Sequence, residues 1–455
     1  MAANLRDAAL LLMDCPSGRQ MRISGWGRYA AAEARVHSPD SQGSLNGCLF
    51  KLDSLIPRGL GRSYGDSSLN SDVIATGRLD RMLAFDEKEG LLKCQSGVSL
   101  AEMLDVFVSE GWFLPVAPGT KFVSLGGAIA SDIHGKNHHR EGSFSDHLAS
   151  VEVMLPNGEV TACSKKENNE LFKATCGGMG LTGFILNATL RMKKIETAFI
   201  KQKTLRAGNL DEIMDLFEGH KESSYSVAWI DCLAGGGRLG RGILMLGEHA
   251  ERDEAQGGLS LKGGYKLNIP FDFPGLVLNS FTAKGFNAVY YNLHSRAHES
   301  LVGYDKFFFP LDGIHNWNRI YGSRGFAQYP FVLPKEAGRE GCRRILHKIG
   351  ASGRGAFLAV LKLFGRGNEN LLSFPMEGYT LALDFPVTRN LFKFFDEMDE
   401  IVLAYGGRLY LTKDVRMSGE MFRKSYIDSA RFMEYKHALD KAGKFRSLQS
   451  RRLGI

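Results

Sequence analysis

The sequence predicts an α+β protein of two domains. At 455 residues the chain exceeds what one simple core organises, because single cores stop growing at about 250–300 residues. Glycine is abundant, with 53 residues. In the first part of the chain it gathers in short clusters, as backbone does where it closes on a ligand. After about residue 195 the texture changes to alternating strands and amphipathic helices, which continue to about residue 404.

Composition sets the class. Hydrophobic residues make up 44% and charged residues 24%, the balance of a water-exposed globular chain. The formal charge of +7 is a mild bias that fits an anionic ligand or a membrane surface. No basic run interleaves with aromatics, so no nucleic-acid partner is expected. The seven cysteines are dispersed and form no C-x-x-C pair. They are expected to be reduced thiols of a cytosolic-type compartment, with neither a disulfide framework nor a zinc site. The apolar run Ala8–Met13 sits between Asp7 and Asp14 and is too short for a secretory core. No stretch of about 18 apolar residues occurs, so membrane contact is expected to be peripheral. The expected place is the cytoplasm or the inner face of the cytoplasmic membrane, with the periplasmic side left open.

The elements follow in order. "IPRGLGRSYGD", Ile56 to Asp66, reads as a strand end running into a tight loop. Its backbone N–H groups can point at a phosphate, with arginine adding charge. The spacing is neither that of a nucleotide-hydrolase loop nor of a G-x-G-x-x-G helix opening, and a generic turn is the alternative. Ser99 and Glu102 form a capping box. Leu100, Met103, Leu104, Phe107 and Val108 give one helical face, and Gly111 ends it. A second glycine-rich segment holds Pro118-Gly119 and Gly126-Gly127, lined by Ser124, Ala128, Ala130 and Ser131. A flat ligand can lie against such small residues. Val151, Val153 and Leu155 lead through Pro156-Asn157-Gly158 to Val160, a hairpin pattern. A third cluster, Gly177, Gly178, Gly180 and Gly183, precedes an apolar strand. The stretch 269–291 is aromatic and loop-like, broken by Pro270, Pro274 and Gly275. It is either a buried loop or a cover that meets lipid.

Four of the twelve histidines, His134, His138, His139 and His147, crowd into one short stretch. His134 and His138 have i, i+4 spacing, but Gly135 and Asn137 argue against a helix, and no Glu or Cys completes a ligand set. No metal is expected.

The ordered run "PRGLGRSYGD", "LPVAPGT", "VSLGGAIASDIHG" and "ELFKATCGGMGLTG" resembles the FAD domain of the vanillyl-alcohol-oxidase flavoprotein superfamily. "ISGWGR", "GSFSDH", "NRIYGSRGFAQYPFVLP", "LKLFG", "LSFP", "LDFP", "GGRLYLTKD" and "RRLGI" are similar to motifs of its branch that oxidises polyprenylphosphoryl ribose. The resemblance spans nearly the whole chain. It implies an FAD-binding α+β domain over 1–195, completed by 405–455. It also implies a substrate-binding domain over 196–404 with an antiparallel sheet flanked by helices. Residues implied to hold FAD are Arg58, Gly59, Leu60, Gly61, Arg62, Ser63, Tyr64, Gly65 and Asp66 in the first loop. Gly119, Ser124, Leu125, Gly126 and Gly127 follow in the second. Ser131, Asp132, Ile133, His134 and Gly135 run along the flavin, with Gly183, Ile185 and Tyr410 completing the set. Covalent relatives often carry a histidine in the first loop. Arg62 stands there in this chain, so the FAD is expected to be dissociable.

The implied reaction oxidises the ribose C2 hydroxyl to a ketone, the first half of epimerisation to a D-arabinose donor for the cell envelope. A short-chain NAD(P)H-dependent reductase is the implied partner for the second half. Lys413 is the first choice for holding the hydroxyl and balancing charge on reduced flavin. A surface lysine paired with Asp414 is the alternative. His134 is a candidate proton acceptor or substrate ligand, and Tyr64 a neighbour of the flavin or a packing residue. For the substrate, Lys136 and Lys362 suit the lipid phosphate as point charges. Trp229 offers a flat wall, and Gln328 a polar contact. Thr380 replaces an asparagine of relatives, which alters the polar contact there. Ala382 stands where relatives known as drug targets have a cysteine that traps reduced nitro-aromatic inhibitors, so resistance to that covalent capture is expected. A sugar-alcohol or aldonolactone oxidase of the same superfamily is the second reading, opposed by the missing first-loop histidine and the missing H-W-G-K motif. An inactive flavin-binding scaffold is the third, opposed by Lys413 and His134.

Overall fold

The computed structural model describes residues 14–255, 257–261, 267–274, 277, 279–294, 297–356 and 358–455. The run Ala8–Met13 and Gly275 lie outside the described residues.

Two larger sheets and the two-stranded pair of Trp112–Phe113 with Lys193–Lys194 occupy the first part of the chain. In the first, Arg19–Ser24 pairs antiparallel with Ala31–His37, while Asp72–Ala75 and Ile56–Arg58 add in parallel. The second is antiparallel, in the order Met82–Asp86, Leu91–Gln95, Phe184–Arg191, Leu148–Met154, Val160–Cys163. Its last two strands are the hairpin expected from the Pro-Asn-Gly turn, where Gly158 takes the left-handed φ of 86°. The helix Leu100–Phe107 begins at the Ser99–Glu102 capping box and buries Leu100, Met103, Leu104 and Phe107, as its pattern requires.

The third sheet is antiparallel and has eight strands. The order is His298–Gly303, Phe199–Ala207, Gly242–His249, Tyr225–Ile230, Ala359–Phe364, Gly378–Pro386, Phe326–Pro334 and Arg408–Leu409. Side chains alternate between its faces. Tyr329, Phe331, Leu361, Leu381, Leu383 and Ala228 point to one side. There the helices Leu210–Gly219, Lys335–Ser352 and Leu391–Ala404 cover them with Ile213, Phe217, Ile345, Phe394 and Met398. The register puts Trp229 beside Val360, Lys362 beside Thr380, and Gln328 beside Asp384 on the opposite side. Five chemically informative side chains therefore share one face because they sit at one parity of the strands.

Two expectations are corrected. The stretch 269–291 is not a buried loop, because Ser280–Leu293 is a helix. Asn279 caps it through the N–H groups of Phe281 and Thr282, and Pro270 and Pro274 precede that cap. The helix sets Tyr291 against Trp229 and Ile243 and leaves Phe281 84%, Val289 61% and Leu293 76% exposed.

The cysteines are not all reduced thiols. Cys15 and Cys48 form a disulfide, and the other five are free and buried. The pair lies in an apolar cluster with Leu45, Leu49, Leu52, Leu55 and Ile74. Packing of the chain ahead of the first strand under the helix Gln42–Lys51 joins them, and no local spacing marks that contact. His37 lies beside them, and among the described residues this is the one His/Cys/Asp/Glu group compact enough for a metal. With the sulfurs bonded to each other and His37 held by Asp72 at 3.0 Å and the Pro16 carbonyl at 2.9 Å, no open ligand set remains.

Thiol titration of the denatured, unreduced chain should count five free cysteines. Closing a loop of 33 residues contributes about 3–4 kcal/mol in the chain-entropy model. Cys15→Ser should accordingly lower the unfolding midpoint by several degrees in a thermal melt.

Candidate functional site

Four pieces of chain converge on the site. The first is the loop after strand Ile56–Arg58. Among the described residues the backbone N–H groups of Gly59 to Ser63 have no hydrogen-bond partner, and the loop is open to solvent at Leu60. Arg58 donates to the Ser24 carbonyl at 2.7 Å and to Ser68 Oγ at 3.0 Å, so its guanidinium braces the loop. Gly59 allows this loop to touch the second one, since a Cβ there would come 2.0 Å from Ser124 Oγ. Gly119 faces open space. Ser124 caps the helix Leu125–Ala130 by accepting from the N–H of Gly127. A row of free N–H donors beside a short helix start and a glycine gap fits a pyrophosphate. Arg62 is stacked 4.1 Å from the Trp26 ring centroid, where no histidine is available for covalent attachment.

The second piece is Ser131–Gly135. Asp132 is fully buried in a left-handed conformation, φ 37°. Its carboxylate accepts from Ser145 N–H at 3.0 Å, Asn368 at 2.8 Å, Asn370 at 3.0 Å and Ser373 Oγ at 2.6 Å. Tyr410 donates to the Ser131 carbonyl at 3.1 Å and stacks on Phe374. His134 lies among Phe364, Phe374 and Tyr410, and its buried Nδ1 has no partner among the described residues. Burial first, then Lys362, His138 and Lys413, hold its pKa well below the usual imidazole value, so it is neutral. Gly183 and Ile185 lie where strand Phe184–Arg191 begins, against Met154 and Val153.

The third piece is the turn after Arg408–Leu409. Lys413 N–H donates to the Tyr410 carbonyl, and its Nζ lies 3.7 Å from the Tyr64 ring centroid. It is not paired with Asp414, which binds Arg452 at 2.8 Å. Burial lowers Lys413 to about 7, with Asp384 pulling upward and Lys362 pushing down.

The sheet face is the fourth piece. Asp384 is buried at the end of the apolar strand Gly378–Pro386. It accepts from Gln328 Nε2 at 2.6 Å and Tyr321 OH at 3.4 Å. Burial raises it to about 7, against Gln328 and Lys413. Lys362 is lowered to about 8 by burial. Lys136 is lowered to about 7 by burial and then by Lys362, and it donates to the Phe307 carbonyl. Thr380 donates its hydroxyl to the Phe331 carbonyl at 2.9 Å, so that donor is already spent within the sheet. Trp229 packs on Tyr290, ring centroids 4.8 Å apart. Leu125 and Ile133 are core, and Asp66 is tied to Arg452.

The other clustered histidines go separate ways. His139 lies 2.8 Å from the Ser223 carbonyl, His147 lies 2.9 Å from the Glu141 carbonyl, and His138 packs on Phe364.

Sequence reasoning left Asp384, Tyr321, Asp132 as a hub, and Arg452 without roles. A lone acid in "YTLALDFP" was a usable signal, because an aspartate is rarely buried unless it is needed.

Residues 46–164 match the family model described as FAD binding domain. Across 95% of its length the chain is 37% identical to decaprenylphosphoryl-β-D-ribose oxidase of Mycolicibacterium smegmatis, covering 97% of that protein. The chain belongs to the decaprenylphosphoryl-β-D-ribose oxidase family. As a member of that family it is an FAD-dependent oxidoreductase of the two-domain flavoprotein fold. An uncharacterized protein of Streptomyces coelicolor is 33% identical over 79% of this chain and 100% of its own length. Human Delta(24)-sterol reductase is 28% identical over 24% of this chain and 22% of its own length.

Removing a donor from the buried Asp132 carboxylate should be costly. Ser373→Ala is expected to lower stability by about 1–3 kcal/mol and to weaken flavin retention. Denaturant unfolding and the absorbance ratio of the purified holoprotein read both effects.

Proposed function

We propose that the chain oxidises the C2 hydroxyl of polyprenylphosphoryl-β-D-ribose to the 2-keto sugar, the first half of conversion to a D-arabinose donor. The observation that carries this reading is the sheet face of Lys362, Gln328 and Asp384 set against His134, Tyr64 and Lys413. In this reading FAD is held without a covalent bond by the loops at Gly59–Ser63 and Gly119–Gly127, in a domain of residues 1–195 and 405–455. The sugar binds on residues 196–404.

Bound FAD supplies the acceptor for the C2 hydride and, once reduced, a negative charge. Lys413 Nζ, neutral in part near pH 7, takes the hydroxyl proton and remains as the adjacent ammonium. Tyr64 presents the negative face of its ring to that ammonium. His134, buried beside Lys362 and Lys413, is too weak a base to keep a proton, so it orients the sugar by accepting a hydrogen bond at Nδ1. Lys136 and Lys362 take the lipid phosphate.

The outer side of helix Ser280–Leu293, with Phe281, Val289 and Leu293 exposed, meets the polyprenyl chain and the membrane surface. No described helix is long and apolar enough to cross a membrane. A short-chain NAD(P)H-dependent reductase consumes the keto sugar.

Purified protein given farnesylphosphoryl-ribose and a dye acceptor should bleach its flavin and turn over. Turnover of free alditols with none of the lipid sugar would replace this reading with the sugar-alcohol oxidase. Lys413→Met should keep FAD and lose about 10²–10⁴-fold in kcat.

The pH profile tests the proton assignment. Activity needs neutral Lys413, so kcat/KM should rise with pH through about 7. Asp384→Asn removes the charge that raises Lys413, so the rise should move to lower pH. Lys362→Met removes a charge that lowers it, so the rise should move to higher pH. Shifts in the same direction for both variants would exclude Lys413 as the base.

A further inference from the structure

Lys413 and Tyr64 come from segments nearly 350 residues apart, yet they face each other at 3.7 Å. Three ties set their relative position. Tyr64 N–H donates to the Thr412 carbonyl at 3.0 Å. Gly65 lies so close to the Lys413 turn that a Cβ would come 1.9 Å from the Asp414 carbonyl oxygen. The third tie is ionic. Arg452, on the helix Leu448–Leu453, donates through Nε and Nη2 to both oxygens of Asp66, at 3.1 and 2.7 Å. The same Nη2 reaches Asp414 Oδ2 at 2.8 Å, and Nη1 donates to the Met417 carbonyl at 2.5 Å. Asp414 Oδ1 meanwhile accepts from the N–H groups of Arg416 and Met417, so the carboxylate also shapes the turn. Gln449 on the same helix donates to the Leu411 carbonyl at 2.7 Å.

We propose that Arg452 is a positioning residue for the reaction: by clamping Asp66 of the cofactor loop to Asp414, it fixes Lys413 over Tyr64. The chemistry of the clamp makes it decisive. Asp66 and Asp414 are both largely buried, with side-chain exposures of 10% and 3%. Without the guanidinium, two carboxylates confront each other out of water with no cation between them. They repel, and the loop and the turn move apart. A displacement of about 1 Å at a reacting group can cost on the order of 100-fold in rate. A lysine cannot replace the planar fork that meets two carboxylates and a carbonyl at once.

This inference rests on the proposed role of Lys413. Its test uses the FAD-loaded full chain with Arg452→Ala and Arg452→Lys. Expected is a fall in kcat of about 10- to 100-fold with KM nearly unchanged and FAD content retained. Guanidinium ion should restore part of the kcat of Arg452→Ala, and sodium chloride at equal ionic strength should not. If Arg452→Ala does not fold, Arg452→Lys and Asp414→Asn carry the same kcat and KM comparison.

A substrate-free measurement stands beside these. Arg452→Ala should lower the flavin reduction potential in the direction that Lys413→Met does, and adding it to Lys413→Met should lower the potential little further. Unchanged kcat and potential in a fully loaded Arg452 variant would overturn the proposal. So would loss of kcat, KM and FAD together without guanidinium rescue, which marks a purely structural residue. If the wild-type chain ignores the lipid sugar while the potentials behave as stated, the substrate assignment fails and the positioning role stands.

Discussion

Three buried amines, of Lys136, Lys362 and Lys413, lie close enough to act on one another, with the carboxylate of Asp384 acting on Lys413, and the rest of the site is arranged around this imbalance. Removing a cation from water without a partner is expensive, and the lowered basicity of all three lysines expresses that cost. The protein maintains the excess because anions complete it. In the proposed reading, the phosphate of a lipid sugar and the charge on a reduced flavin are the anions that balance these amines. His134 is kept neutral by burial first and then by Lys362, His138 and Lys413, which leaves one ring nitrogen able to accept a hydrogen bond.

A strained electrostatic arrangement needs rigid walls. The sheet supplies one, since strand parity alone sets Lys362, Gln328 and Asp384 on the face away from the apolar helices. Asp132 supplies another. It is an acid satisfied by neutral donors, three of them from the distant segment of Asn368, Asn370 and Ser373. It thereby ties the segment that carries His134 to the segment of Asn368, Asn370 and Ser373. The left-handed backbone at Asp132 is tolerated because four donors hold its side chain in place.

What the sequence revealed follows from range. The capping box at Ser99–Glu102, the hairpin at Pro156–Gly158 and the glycine loops are legible because their causes lie within a few residues. The family motifs also singled out Lys413 and Lys362 as candidates. Helix Ser280–Leu293 was obscured by the prolines before it and by an apolar face turned outward, against the usual pattern. The Cys15–Cys48 bond, the Asp132 hub and the Arg452 clamp depend on tertiary contacts between residues far apart, and no local period encodes them. The spent hydroxyl of Thr380 was hidden for a similar reason, since its acceptor belongs to the neighbouring strand.

The clamp between Asp66 and Arg452 spans 386 positions. Ribosomes add about 5–20 residues per second, so roughly 20 to 80 s separate the synthesis of its two halves. During that interval the nascent cofactor loop has its glycines and free N–H groups but not its anchor. If that loop holds FAD as proposed, maturation of the flavin site is therefore a late event in the life of the chain, after residue 452 has emerged and docked.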